Sequence, residues 1–316
     1  MSNDTIALLT AGEVLAAFVP DSGQPFRRAH QVHRFTVGAE ANVAVAVSRL
    51  GLASTCVSRV GSDLLGEAVL DDLRREGVNV SEITVDPSAF TGSLMRETPA
   101  PGATRVTYRR SGSAGSQLSP TQISAELVAA HSHVHASGVT AALGAEPLAT
   151  IHTLFSEAHG AGRTRSFDMN YRSQLWSPEE AGPVLRECAE MADTVIGGRT
   201  EWEIAFGSEQ AGVAALSDET LAVVTDGDQE IRAYFGGERL SQTPFSSIVV
   251  DPVGAGDGFV GGLLAGTMAG LDHAAAVRQG AYCGSRVVAE LGDWAGLPFG
   301  VGGIVDIPQD DGDVQR

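Results

Sequence analysis

The nine residues DPVGAGDGF, 251–259, put three glycines and two aspartates into one short turn. Gly254, Ala255 and Gly256 carry almost no side chain, so their N–H groups can approach an anion closely. Such a nest suits the negative charge that develops on a phosphoryl group in transfer. Asp257 follows directly. In the first turn of a helix beside that nest, its carboxylate can accept the proton of a hydroxyl as the hydroxyl attacks. One turn would then supply an anion hole and a general base together. The plain alternative is a tight strand–helix turn whose acidic residue is favoured by the helix dipole. A third reading is formal: Gly256-x-Gly258-x-x-Gly261 matches the dinucleotide fingerprint. That fingerprint needs a following strand and an acidic residue about 20 positions on. The downstream sequence instead reads as helix after helix up to Glu290 and Asp293, so the match is a coincidence of glycine density.

The elements that must carry this turn follow from periodicity. Ile6–Leu9, Val14–Val19, Ser54–Val60, Thr104–Arg110, Val134–Ala136, Arg165–Asp168, Thr194–Ile196, Leu221–Thr225 and Ile248–Val250 read as strands. Helices read over Asn42–Leu50, Ser62–Glu76 with Ser62 as its cap, Pro120–Ala130, Glu146–His159, Pro178–Met191, Thr200–Phe206, Ala255–Ala269 and Asp272–Glu290. Strand–helix alternation over most of the chain predicts an α/β fold with a parallel sheet covered on both faces. Two stretches, about 13–36 and 84–116, read as strands and turns without helices and can pair as a small β-rich appendage. His131, His133 and His135 alternate and would share one strand face. With no carboxylate or Cys partner nearby, they read as strand residues rather than metal ligands. The polar tail QDDGDVQR is expected to fray.

Composition narrows the partners. The chain has 316 residues, 43% hydrophobic and 19% charged, as in globular proteins, with room for a large core. Lys and Arg number 21 against 39 Asp and Glu, a formal charge of −18 that argues against nucleic acid and anionic membrane. Cys56, Cys188 and Cys283 lie far apart and make no CxxC pair. No apolar run is long enough to span a membrane, and MSNDTIALLT lacks the basic region and apolar core of a signal peptide. A reducing cytoplasm is the expected setting.

DPVGAGDGF resembles the C-terminal signature of the ribokinase-type carbohydrate kinases, and VGAEANVAVAVSRLG (37–51) with VGSDLLGEAVLDDLRREGV (60–78) resembles their N-terminal signature. The resemblance runs over nearly the whole chain. Within that family, GAEANVAVA, YRRSGSAGS (108–116) and DMNYRSQLWSPEEA (168–181) are most similar to 2-keto-3-deoxygluconate kinases. The resemblance implies one three-layer Rossmann-like (ribokinase-like) domain over 1–316, with a small β-sheet lid built from about 13–36 and 84–116. It also implies ATP and magnesium as cofactors and phosphorylation of the terminal hydroxyl of a small sugar acid. A neutral-sugar kinase such as a fructokinase, or a non-catalytic sugar-acid sensor on the same fold, stand as alternatives. A homo-oligomer pairing through the lid is a further implication.

The same resemblance assigns roles. Asp257 is the implied base and Gly254, Ala255 and Gly256 the implied anion hole, with Gly254 and Gly256 also on the nucleotide. Gly38, Ala39 and Asn42 match the substrate-contacting start of the first motif, although Asn42 also reads as the cap of the helix it opens. Arg110 and Arg172, with Tyr108 alongside, would hold a carboxylate, since a planar guanidinium grips it bidentately; surface arginines are the plain alternative. Asp293, in GDWAG, would touch substrate hydroxyls. Thr225 and Gly227 fit the nucleotide stretch, but Gln229-Glu230 stands where the family has Lys-Gly, and Asp226 and Asp228 add negative charge. Leu94 stands near a position where related kinases place a tyrosine. Gly198-Arg199-Thr200-Glu201 occupies the place of an Asn-x-x-Glu that organises magnesium through water. Glu201 keeps the carboxylate, and also reads as an ordinary first-turn helix residue.

Overall fold

A computed structural model describes residues 6–21, 23–100 and 104–308, so the tail 309–316 lies outside the described residues. In chain order the strands and helices are β1 (Ala7–Ala11), β2 (Leu15–Val19), β3 (His33–Val37), α1 (Ala39–Arg49), β4 (Ala53–Gly61), α2 (Leu64–Arg75), β5 (Ile83–Asp86), β6 (Ser93–Glu97) and β7 (Arg105–Arg109). Next come α3 (Ala125–Ala129), β8 (His133–Ser137), α4 (Gly138–Ala141), α5 (Ala145–Gly160), β9 (Thr164–Asp168), α6 (Pro178–Glu190), β10 (Thr194–Gly198), α7 (Arg199–Phe206) and α8 (Glu209–Ala215). The chain closes with β11 (Leu221–Thr225), β12 (Ile231–Phe235), β13 (Glu238–Gln242), α9 (Ala255–Met268) and α10 (His273–Val287).

Nine strands form the main sheet in the order β13-β12-β11-β10-β9-β8-β1-β4-β5, parallel except at β12 and β13. Successive side chains of a strand face opposite ways, and here both ways are apolar. Leu8, Cys56, Ile196 and Val223 pack on one face with α1, α2, α9 and α10. Their chain neighbours Leu9, Val57, Val195 and Val224 pack on the other with α3, α5, α6 and α7. The helix layer around α9 is close-packed because its glycines admit neighbouring backbone: a Cβ on Gly261 would stand 2.3 Å from the Cβ of Ala46 in α1. Strand order runs outward in both directions from β1 and β8, and the crevice beyond the carboxyl ends of such strands is where open α/β sheets bind ligands.

The second sheet has four strands, β3-β2-β6-β7. Leu15, Ala17, Val19, Val37 and Leu94 form its own small core, capped by Leu291. It joins strands from the two helix-free stretches, although the start of the second stretch pairs with β4 in the main sheet as β5.

Several local expectations give way. Helix α1 opens at Ala39 with Gly38 as its cap, so Asn42 lies inside the first turn and its side chain is free for other partners. Asp63, not Ser62, caps α2, because its carboxylate reaches both Gly66 N–H (2.8 Å) and Thr91 N–H (2.8 Å). Pro120–Gln122 is a 3-10 turn and α3 starts afresh at Ala125, capped by Ser124. Ile248–Val250 is not a strand. Ile248 is 84% and Val249 63% exposed, and Val250 N–H goes to the Val288 carbonyl. Nearby, the hairpin β12–β13 satisfies the edge of β11, which leaves no place there for a further strand.

The three histidines are structural. His133 bonds Thr164 Oγ1 (2.6 Å) and Ser166 Oγ (2.8 Å), His135 shares that Ser166 hydroxyl (2.9 Å), and His131 bonds Thr55 Oγ1 (2.9 Å). Among the described residues no cluster of three or more His, Cys, Asp or Glu could hold a metal ion, and no helix is long and apolar enough to cross a membrane.

Burial pushes His133 down to about 4. A depressed folded value means that the unfolded chain takes up the proton first, so stability is full above about 6.5 and falls as pH drops toward 4. Between pH 7.5 and 4.5 this one imidazole should cost about 2–3 kcal/mol. Urea unfolding of wild type and His133→Gln at both pH values checks it: the variant should lose less stability over that interval, by roughly this amount.

Candidate active site

Asp257 sits in the first turn of α9, and α9 is preceded by Gly254 with φ 83°. No other residue fits at Gly254, since a Cβ there would lie 2.2 Å from the Asp293 carbonyl oxygen. The left-handed turn and the close approach together bring the N–H groups of 254–256 to the helix start, where the dipole favours an anion. A Cβ added to Gly256 would meet nothing within 4 Å, so there is open space beside this residue.

A cavity of about 240 Å³ adjoins this turn, lined by residues of the main fold and of the small sheet. Gly38, Ala39 and Asn42 reach it from the start of α1, and Gly254, Asp257 and Asp293 from the C-terminal side. Tyr108 and Arg110 come from the end of β7, and Arg172 from the segment after β9. The small sheet contributes an apolar wall that includes Leu15, Ala17, Val37, Leu94 and Val106. Ala255 and Gly256 are chain neighbours of this lining. Thr225 and Gly227 are not part of it. Thr225 ends β11 opposite Gly198, and Gly227, with φ 61°, is the left-handed residue of the turn into β12. Both lie at the same sheet edge, two strands beyond β9.

Asn42 Nδ2 donates to Asp257 Oδ2 at 2.6 Å and to Asp293 Oδ2 at 3.4 Å. Asn42 Oδ1 is buried and has no hydrogen-bond partner among the described residues. Asn170 Nδ2 donates to Asp168 Oδ2 (3.0 Å) and to Asp257 Oδ1 (3.4 Å). Asn170 itself has φ 33°, a left-handed conformation that asparagine tolerates better than most residues. Burial raises Asp257 to about 7; Asn42 and Arg172 pull it down, while Asp293 and Glu40 push it up. Burial likewise raises Asp293 to about 6. Burial, Glu201 and Asp257 hold Asp168 well above the usual carboxylate range.

Glu201 keeps its carboxylate close by, but both oxygens are engaged with backbone: Oε1 with Tyr171 N–H (2.7 Å) and Oε2 with Gly198 N–H (2.5 Å). Burial raises it too. Asp168 feels the charge of both Glu201 and Asp257, so the three carboxyls share one region, although among the described residues they form no cluster that could hold a metal ion. The charge of Asp226 is less isolated than the sequence suggests, because Arg199 Nε (3.7 Å) and Arg232 Nη1 (3.9 Å) stand beside it.

Four participants escape the sequence reading. Glu13 is buried and ion-paired with Arg110. Burial raises Glu13, with Arg110 acting against it. Arg110 therefore enters the cavity with its charge balanced, while its Nε is buried without a partner and its guanidinium lies over the Tyr108 ring. The Arg172 guanidinium, by contrast, has no hydrogen-bond or ion-pair partner within contact distance among the described residues, although its charge acts on Asp168, Glu201, Asp257 and Asp293. Asp168, Arg96 and Asp251 complete the polar surroundings of Asp257 and Asp293. A Gly-Glu directly after a buried strand was the only local signal for Glu13; Asp168 and Asp251 stood inside motifs already singled out but received no role, and Arg96 carried no signal.

The sequence pattern of the pfkB family carbohydrate kinases matches residues 7–299. The chain is 33% identical over 303 residues to the 2-dehydro-3-deoxygluconokinase of Bacillus subtilis, covering 92% of each chain. It is 33% identical over 276 residues to a fructokinase of Klebsiella pneumoniae, covering 83% of this chain and 88% of that one. The crystal structure of a PfkB protein from Polaromonas sp. JS666 superposes with a TM-score of 0.83 at 30% identity, over 92% of this chain and 98% of that one. A buried carboxylate beside a glycine nest, on a ribokinase-like fold and within a match of this extent, places the chain in the pfkB carbohydrate kinase family as a sugar kinase.

Proposed function

We propose that this sugar kinase transfers the γ-phosphoryl of ATP to the terminal hydroxyl of 2-keto-3-deoxygluconate. The observation that carries the reading is Arg172, a partnerless guanidinium in the cavity that holds Asp257. A neutral sugar offers such a cation only hydroxyl and carbonyl oxygens, whereas a sugar acid presents a carboxylate that matches it in charge and in bidentate geometry. Arg110, balanced by Glu13, also lines the cavity but brings little net charge. Similarity to the B. subtilis 2-dehydro-3-deoxygluconokinase supports this reading, and similarity to the K. pneumoniae fructokinase favours a second one, phosphorylation of a neutral ketose.

In this reading Asn42 and Asp293 hold substrate hydroxyls, with Gly38 and Ala39 allowing close approach of the chain. Asp257, poised near 7, accepts the proton of the attacking hydroxyl. The N–H groups of 254–256 stabilise the charge on the transferring phosphoryl group. Thr225 and Gly227 lie along the nucleotide. Asp168 and Glu201 would hold magnesium through water, and the ion neutralises phosphate charge when bound. The apolar wall of the small sheet keeps out water, a competing acceptor.

Three outcomes follow. Arg172→Ala should raise KM for 2-keto-3-deoxygluconate by about a hundredfold, the scale of a charge-assisted contact, and leave KM for D-fructose little changed, with the effect on the base read separately in kcat. An ADP-release assay on both sugars decides; equal effects, or turnover of fructose alone, favour the neutral-sugar reading. The acid limb of kcat/KM should fall near pH 7, where Asp257 takes up its proton, and should move to higher pH in Arg172→Ala, because that guanidinium holds the carboxyl down. Gly256→Ala should fold with equal or higher Tm, since alanine is better than glycine inside a helix by about 0.5–1 kcal/mol. If the phosphoryl group approaches the 254–256 N–H groups as proposed, a methyl at this residue crowds it, so kcat/KM for ATP should fall at least about tenfold; an unchanged value counts against the nest assignment.

A further inference from the structure

Arg96 belongs to β6 of the small sheet, yet it is only 3% exposed. Its guanidinium leaves that sheet and grips Asp251 with both nitrogens: Nη1 donates to Oδ1 at 3.3 Å and Nη2 to Oδ2 at 2.7 Å. Nη2 also stands 3.5 Å from Asp293 Oδ1. Asp251 in turn holds its own loop and the next turn, accepting from Val253 N–H (3.2 Å) and from Gly292 N–H (3.2 Å). The backbone of Asp293 abuts Gly254. One buried guanidinium thus joins the small sheet, the loop that opens the phosphoryl nest, and the turn that carries Asp293.

A buried ion pair is a poor source of net stability, because apolar residues of similar size often do as well or better. It does fix geometry, and a bidentate Arg–carboxylate fork fixes orientation as well as distance. We propose that Arg96 is a positioning residue that ties the small sheet to the nest loop, so that the N–H groups of 254–256 hold their working arrangement only while that sheet is seated over the cavity. The inference rests on the chain being a sugar kinase and not on the choice of acceptor.

Three variants test it: Arg96→Met, Arg96→Lys and the charge-balanced Arg96→Met/Asp251→Asn. Arg96→Met leaves Asp251 buried and unpaired, so its Tm should drop; the double variant should regain most of that loss. A pair that served only the fold would return kcat along with Tm. The tether predicts that kcat stays at least about tenfold below wild type in the double variant, while KM for ATP moves less. It also predicts more ATP hydrolysis per sugar phosphate formed. There water replaces the sugar hydroxyl in attack on the γ-phosphorus, the bond to the ADP oxygen breaks, and the proton of water goes to solvent. Amides of 253–258 should exchange with deuterium faster in the double variant than in wild type. Arg96→Lys keeps the charge and loses the fork, so it should show the same kinetic loss with a smaller change in Tm, and it decides the matter if the double variant folds poorly. Wild-type kcat, coupling and exchange in a well-folded variant overturn the proposal. Assays use 2-keto-3-deoxygluconate and D-fructose, each against wild type on the same sugar. If wild type turns over neither, the acceptor assignment fails, and unchanged exchange at 253–258 still overturns the tether.

Discussion

Burial of the Asp257 carboxylate is the constraint on which the rest of the site depends. A charged group this far from water is costly unless dipoles and charges replace its hydration. Here no cation touches it directly. Two asparagine amides, Asn42 and Asn170, supply hydrogen bonds, and Arg172 supplies field at longer range. That partial compensation leaves Asp257 near 7. A full salt bridge would leave the carboxylate a weak base, and no compensation would keep it protonated. Helix α1 must therefore start at Ala39 to aim Asn42, and the chain after β9 must turn left-handed at Asn170 to aim the second amide.

The topology makes this convergence possible. Asn42, Asn170 and Asp257 are separated by more than eighty residues of chain at each step, yet all follow strands or helices that end at one edge of the sheet. Parallel strands point their carboxyl ends the same way, and the reversal of order between β1 and β8 opens the crevice. The small sheet then covers it from the side.

Much of this was legible in the residues. The glycine nest, Asp257, Asn42 and the arginines stand in short motifs whose chemistry is local, and the cavity gathers most of them. Alternating strands and helices gave the layered α/β architecture for the same reason, since hydrophobic period is a local property. What was hidden depends on contacts between distant segments. Glu13, Arg96 and Asp251 look like ordinary charges until the fold pairs Glu13 with Arg110, and Arg96 with Asp251. Ile248–Val250 misleads in the opposite way. Its composition suits a strand, but β12 and β13 already occupy the sheet edge beyond β11.

The two arginines of the cavity divide one task by their surroundings rather than their type. Arg110 is stacked on Tyr108 and balanced by Glu13, so its position is fixed and its net charge is nearly cancelled. Such a group orients a carboxylate and attracts it weakly. Arg172 is exposed and unpaired among the described residues, so it contributes attraction and little fixed direction. In a chain of formal charge −18, an anionic ligand meets a repulsive field, and Arg172 is the crevice cation whose guanidinium is not held in an ion pair among the described residues. The same cation also steadies Asp257. A bound carboxylate that neutralised Arg172 would remove part of what holds the Asp257 carboxyl down, making it a stronger base once the acid is in place. In the proposed reaction, attraction of the sugar acid and activation of Asp257 would thus be linked through one guanidinium.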